Sequence, residues 1–355
     1  MSKPITIKKI SSLAGVSVGT VDRVLHNRGK VSEKSRLSVI KAMEIAGCNY
    51  DVYSSTLAYK REIKIAVATP SVNLGGYWNS IHEGILHSKE EFPDLSINFL
   101  WFPYNQFDVY SCREAFSGIL CGKPDAVILG STFADETRTL CSDLDKDGIP
   151  YFFVDAIIDG TRPTATYTVD QYACGYILAR LLLSFIPEDS NIAIMEMRRV
   201  GGMHSNNSVE RTKGFKAYLD EQGVLDRLKV GHLSAENPGE NEELFMHFFE
   251  ENPTIKGIAV MNSRGYIIAD FLKRTSLCDV KLICFDLTTN NLRCITDGSI
   301  TALLGQRPEL QGFHVVKAAV NHLIYKRSDP QPNHLLPIDI ILKENLPFYK
   351  ELFTG

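Results

Sequence analysis

Hydrophobic positions change rhythm once along the chain, near residue 62. Before that point, apolar residues recur at helical spacing in three short runs. The first is Ile7, Ile10, Leu13 and Ala14; the second is Val18, Val21, Val24 and Leu25; the third is Leu37, Ile40 and Met43, flanked by Val39, Ala42 and Ala46. Gly15-Val16 separate the first two, and Gly15 supplies the positive φ that a tight inter-helix turn needs. Ser17 and Ser32 stand where an N-cap hydroxyl accepts a hydrogen bond from an unpaired first-turn N–H, and Gly47 is a C-terminal stop. Two short helices joined by such a turn describe a helix-turn-helix, whose second helix enters the DNA major groove; the alternative is a plain helical hairpin at a domain edge. The expected centre of the three helices is Ile10, Leu13, Val21, Val24, Leu37 and Ile40.

From Ile63 onward, short apolar runs alternate with amphipathic stretches, the pattern of parallel α/β folding. Strands are expected at 64–68, 96–102, 126–129, 151–154, 166–169, 191–195, 228–233, 257–260, 281–285 and 302–305. Helices fit between them, among others at 78–92, 108–121, 171–185, 208–222, 240–251, 264–275 and 311–325, with Asp170 as an N-cap. Ligands of such sheets bind beyond the carboxyl ends of the strands. That rule singles out Pro70-Ser71, Gly130-Ser131, Asp155, Asn262-Ser263, Asp286 and Gln306.

Charge sharpens this division. Residues 1–62 hold eleven Lys+Arg against five Asp+Glu, while the remainder holds 27 against 37. A basic head on an acidic body suits phosphate contact at one end only. With 355 residues and 44% hydrophobic content, the chain has enough apolar material for two or three folding units. No apolar run approaches the roughly 18 residues of a membrane span, and no secretory signal is evident at the start, so a cytoplasmic protein with no membrane partner is expected. The eight cysteines form no C-x-x-C pair and read as buried thiols. Phosphate-binding, nucleophile-elbow and zinc-protease motifs are missing, and no Cys/His cluster has metal spacing. Acid pairs such as Asp145/Asp147 and Glu242-Glu243 fall on expected exposed faces, so no enzyme, cofactor or metal site is expected.

Residue identity in the head is specific. Thr6-Ile7-Lys8-Lys9-Ile10, Ala14-Gly15-Val16-Ser17, Thr20-Val21-Asp22-Arg23-Val24-Leu25 and Val31-Ser32-Glu33-Lys34-Ser35-Arg36 resemble the headpiece of the lactose-repressor (LacI/GalR) family, ungapped from about Thr6 to Leu57. The resemblance implies a homodimeric repressor-like protein reading a pseudo-palindromic double-stranded operator. It further implies a head over 1–48 and a hinge helix over 49–62. DNA contact would fall to Ser17, Val18, Gly19, Thr20, Arg23, Asn27 and Arg28. Val18 can touch a thymine methyl, Arg23 can pair bidentately with guanine, and Thr20 can hold a phosphate. In the hinge, Leu57 matches the leucine that wedges a base step and Ser54 the small residue packing on the partner hinge. Tyr50-Asp51 depart from the family's Pro-Asn.

The body, over about 63–345, resembles periplasmic sugar-binding proteins of the ribose type. The matching positions are the aromatic pair Tyr77-Trp78, Asp155, Arg211 before Gly214-Phe215, Asn262, Asp286 and Gln306. Aromatic faces stack on the C–H side of a sugar ring, and carboxylate, amide and guanidinium groups pair with its hydroxyls. The implied fold is a three-helix head plus two α/β lobes, 63–166 with 290–325 and 167–289 with 326–355. Ala156 and Gly75-Gly76 depart from the ribose-type pattern, and the Gly201-Gly202-Met203-His204 loop is an addition near the cleft. The expected effector is a monosaccharide or derivative, with a nucleobase or polyol as alternative; a stand-alone sugar-binding protein is the rival function. Residues 345–355 lack sustained heptads, so no tetramer-forming coiled coil is expected.

Overall fold

A computed structural model describes residues 6–25, 31–45, 62–199, 205–234, 237–277, 279–325 and 331–350. In the head, α1 (Ile7–Ala14), α2 (Val18–Leu25) and α3 (Glu33–Ile45) pack on one another. Gly15 caps α1 at φ 63°, the left-handed conformation its position demanded. Ser17 Oγ accepts from Thr20 N at 3.1 Å and Ser32 Oγ from Ser35 N at 3.2 Å, so both serines are N-caps. The buried centre is Ile10, Val21, Val24, Leu25, Val39, Ala42 and Met43. Leu13 and Leu37, expected there, are 48% and 55% exposed, and Ile40 is only half-buried. Both Leu37/Ile40 and Val39/Ala42/Met43 obey helical spacing, so periodicity leaves the rotation of α3 open. Packing turns inward the face carrying the small Ala42, which allows a closer approach to α1 than a leucine would.

The body runs β1 (Ile63–Ala68), α4 (Tyr77–His87), β2 (Ile97–Trp101), α5 (Val109–Ile119), β3 (Ala126–Gly130), α6 (Ala134–Asp147), β4 (Tyr151–Val154) and β5 (Ala165–Thr168). It continues through α7 (Gln171–Phe185), β6 (Asn191–Arg198), α8 (Asn206–Glu221), β7 (Leu228–Ser234), α9 (Pro238–Glu251) and β8 (Ile255–Val260). It ends with α10 (Gly265–Arg274), β9 (Lys281–Phe285), α11 (Thr289–Asp297), β10 (Ala302–Gly305), α12 (Pro308–Tyr325), β11 (Asn333–Leu335), β12 (Asp339–Ile341) and α13 (Leu346–Lys350). Two six-stranded sheets result, ordered β11-β5-β4-β3-β1-β2 and β12-β10-β9-β8-β6-β7. Every neighbouring pair is parallel except β10 with β12. Helices cover both faces, which is why the central strands read as unbroken apolar runs such as Ala126-Val127-Ile128-Leu129.

All ten expected strands are present, but the lobe boundaries differ from the expected ones. β10 joins the second sheet and α11 packs on α10, so 290–305 belongs to the second lobe rather than the first. β11 joins the first sheet, whereas the expected boundaries put 326–355 in the second lobe. An apolar tetrapeptide such as Ala302–Gly305 carries no lobe address; the sheet edge left open beside β9 decides where it pairs. The chain therefore crosses between lobes at 168–171, 305–308 and 335–339.

Asp170 caps α7, accepting from Ala173 N at 2.9 Å. Asp145, Asp147, Glu242 and Glu243 are exposed. Five of the six described cysteines are buried thiols; Cys121 is exposed because it lies in the short turn after α5. No helix among the described residues is long and apolar enough to cross a membrane.

Candidate functional site

The outer face of α2 presents Ser17, Val18, Gly19 and Arg23 exposed and Thr20 half-buried, opposite the buried Val21, Val24 and Leu25. Ser17 Oγ and Thr20 Oγ1 lie 2.9 Å apart, so these hydroxyls order each other at the helix start. Lys8, Lys9, Lys34, Arg36 and Lys41 are exposed on the same head. Asn27, Arg28, Ser54 and Leu57, with residues 49–61 of the hinge, lie outside the described residues, as does His204.

In the body, Tyr77, Trp78, Asp155, Arg211, Asn262, Asp286 and Gln306 all line one cavity of about 70 Å³ between the lobes. Close packing of helices places two of them. A Cβ at Gly175 would collide with the carbonyl of Arg211, and one at Gly214 with the carbonyl of Tyr172, so α7 and α8 touch backbone to backbone. That approach sets Arg211 at the cavity floor, 4% exposed, with its guanidinium 3.8 Å over the ring of Phe285. Glycines 84 and 312 do the same for α4 and α12, which carry Tyr77 and Gln311.

Asp155 follows β4 and Asp286 follows β9, at corresponding positions of the two lobes. Both hold the left-handed backbone, with φ of 73° and 69°. Non-glycine residues occupy that region at a cost, which the surrounding hydrogen bonds must hold in place. Asp155 N donates to Tyr167 O and to Gln311 Oε1, each at 3.0 Å; Asp286 N donates to Leu304 O at 2.9 Å. The turn thereby directs both carboxylates to the interlobe space.

A continuous polar network joins the site. Tyr77 OH donates to Asp155 Oδ1 at 2.5 Å, and Asn207 Nδ2 donates to Asp155 Oδ2 at 2.9 Å across the cleft. Arg211 donates through Nε to Gln171 Oε1 at 2.7 Å, through Nη1 to Met261 O at 2.7 Å, and through Nη2 to Gln306 Oε1 at 2.6 Å. Gln306 Nε2 in turn donates to Asp286 Oδ1 at 2.8 Å. Burial raises the pKa of both carboxyls, and Arg211 opposes that rise in each. Asp286 is pushed up to about 7. Burial and the neighbouring Asp155 push the Tyr77 hydroxyl well above its ordinary value.

Several groups at the cavity are left over. A guanidinium has five N–H donors, and Arg211 uses three here. Asp286 Oδ2 accepts from no donor among the described residues. Asn262 Oδ1 accepts from Arg264 N at 2.9 Å, which leaves its Nδ2 free. Beside these stands the Trp78 ring, packed edge-on to Tyr77 at 5.4 Å, with Gly130 beneath it because any Cβ there would strike the ring. Sequence reasoning missed Asn207, Gln171 and Gln311, which orient the carboxylates and the guanidinium. Gln171 follows the cap Asp170 and Gln311 opens the expected helix 311–325; neither position marks a side chain as pointing into a cleft.

Comparisons with known proteins agree with this division of the chain. Residues 6–50 match the family model of bacterial regulatory proteins of the lacI family, and residues 65–327 match that of the periplasmic binding protein domain. The HTH-type transcriptional regulator RegA of Clostridium saccharobutylicum is 22% identical over 349 residues, covering 96% of this chain and 98% of that protein. The HTH-type transcriptional regulator DegA of Bacillus subtilis is 26% identical over 223 residues, and that match spans 62% of each chain. Among solved structures, a protein assigned as a LacI transcriptional regulator from Bacteroides fragilis superposes with a TM-score of 0.77 at 28% identity, covering 81% of this chain and 100% of that one. With its head matched by the one model and its two-lobed body by the other, this chain belongs to the lacI family of bacterial regulatory proteins.

Proposed function

We propose that the protein is a homodimeric transcription regulator of the cytoplasm that binds a pseudo-palindromic operator through α2 and senses a small sugar between its lobes. The observation that carries the sensing half is the convergence on one cavity of leftover donors on Arg211 and Asn262, a leftover acceptor on Asp286 and the face of Trp78. Sugar hydroxyls need both donors and acceptors, and the ring's C–H side needs an aromatic face. The lobes are bridged across the cleft by Asn207 to Asp155 and by Thr289 N to Gly75 O at 2.9 Å, bonds that a parting of the lobes would break. A ligand that favours one lobe arrangement then biases the spacing of paired heads, and linkage requires sugar and operator to change each other's affinity by one factor.

On the DNA side, the exposed Arg23 is the principal base reader and Val18 an apolar contact to a thymine methyl, with Thr20 and Ser17 at the phosphates. The four expected contacts at 27, 28, 54 and 57 complete this reading.

The test joins the two halves. Operator-like DNA is first selected from random duplexes with the full chain, and its affinity is then measured by fluorescence anisotropy with and without each sugar of a panel. We expect one sugar to change operator affinity by at least about fivefold, the lower end of ordinary allosteric coupling. We also expect Arg23→Ala to cost about 1–3 kcal/mol and relax specificity at one base pair. No enrichment of any duplex would overturn the regulator; coupling that survives Arg211→Gln unchanged would overturn the site.

A further inference from the structure

Next to the polar cavity lies a larger one, about 250 Å³, formed at the ends of β6 and β8 and the start of α8. The two share Gln106, Ser205, Ser208, Met261, Asn262 and Ser263, so they are compartments of one cleft. Its charged lining is mostly cationic: Arg199, Arg264, Lys213 and Lys216 against the single carboxylate of Glu196. Lys213 is neutralised from outside by Glu210 at 2.6 Å. Arg199, Arg264 and Lys216 have no carboxylate partner among the described residues.

Arg199 is the most informative of them. It reaches across the cleft, donating through Nη1 to Thr132 O at 3.2 Å and through Nη2 to Gln106 O, with its guanidinium 4.4 Å over the ring of Phe133. Burial lowers its pKa to about 10. A desolvated guanidinium held only by carbonyls and an aromatic face is under-compensated, since burial of a charge is ordinarily matched by an opposite one. Arg264 is placed likewise, 4.6 Å over Phe107 of the opposite lobe. Lys216 is exposed at the rim.

We propose that the effector is an acidic sugar, its ring in the polar cavity and a carboxylate or phosphate substituent in the adjoining cavity against Arg199, Arg264 and Lys216. This rests on the sugar-sensing reading above and narrows it. A neutral monosaccharide would leave the three cations without a counter-charge, whereas an anionic group meets two planar donors and one point-charge donor of the second lobe.

Calorimetry on the full chain tests this with glucose and galactose, their 1- and 6-phosphates, the corresponding hexuronates, and inorganic phosphate alone. At least one acidic member should bind about tenfold or more tightly than its neutral parent, and added salt should erode that advantage. The phosphate and uronate arms tell the two anions apart. Lys216→Gln and Arg264→Gln should each reduce the advantage several-fold while leaving affinity for the neutral parent within twofold. Equal binding of neutral and acidic forms overturns the proposal; if that binding is lost in Arg211→Gln, the sugar-sensing reading stands without it. Inorganic phosphate binding as tightly as the sugar acids also overturns it, and silence across the whole panel overturns both readings.

Discussion

Asp155 and Asp286 occupy corresponding places in two lobes, with the same left-handed backbone and nearly equal burial, yet their surroundings differ. Asp155 receives a tyrosine hydroxyl on one oxygen and an asparagine amide on the other. Asp286 receives only the Gln306 amide, and its second oxygen is left for the cavity. Arg211 favours the ionised form of both. The fold thus supplies two equivalent carboxylate posts, and the neighbouring side chains make one a structural anchor and the other a group poised near neutrality. Desolvation is common to both; hydrogen-bond supply and the repulsion that Asp155 and Glu309 exert on Asp286 separate them.

The strongest way to break this comparison is to remove what the two share. Arg211→Met should destabilise the protein by about 3–5 kcal/mol, because two buried carboxylates lose their common cation. Urea unfolding at neutral pH measures the loss, and part of it should return at lower pH as the carboxyls protonate. A smaller change makes the lobes more alike. Tyr77→Phe strips Asp155 Oδ1 of its donor and should cost about 1–3 kcal/mol while raising the carboxyl's pKa. An effect confined to one pH window sharpens the difference between them. Asp286 titrates near 7 in the folded chain but near 3.9 unfolded, so between those values the folded state holds the extra proton. Its contribution to stability therefore falls as pH rises through that window. Asp286→Asn should remove most of that fall, whereas Asp155→Asn should remove less of it. Melting curves from pH 4 to 8 decide the point; an unchanged slope in Asp286→Asn would refute the assignment.

Legibility varied with the range of the forces involved. Helix caps at Ser17, Ser32 and Asp170 and the turn at Gly15 were readable because each depends on atoms within a few residues. The ten strands were readable as apolar runs, and seven residues that line the cavity came from a rule about strand ends joined to a family resemblance. The inward face of α3 is not legible, because two sets of positions are equally periodic. β10 pairs in the second lobe, against the expected first, because pairing along an open sheet edge is a long-range event.

By itself, the sequence determined the class of this protein: a basic helix-turn-helix head, a parallel α/β body, and carboxylate and amide residues at the mouths of its strands, to which family resemblance added Tyr77, Trp78 and Arg211. Those are consequences of local periodicity, capping and charge. Only the tertiary structure decided which lobe owns each late element, which donors Asp155 and Asp286 receive, and that three uncompensated cations line the second compartment of the cleft. The physical reason is separation along the chain: Asp155 meets Gln311 across 156 residues and Arg211 meets Gln306 across 95, and no local pattern encodes a partner that far away.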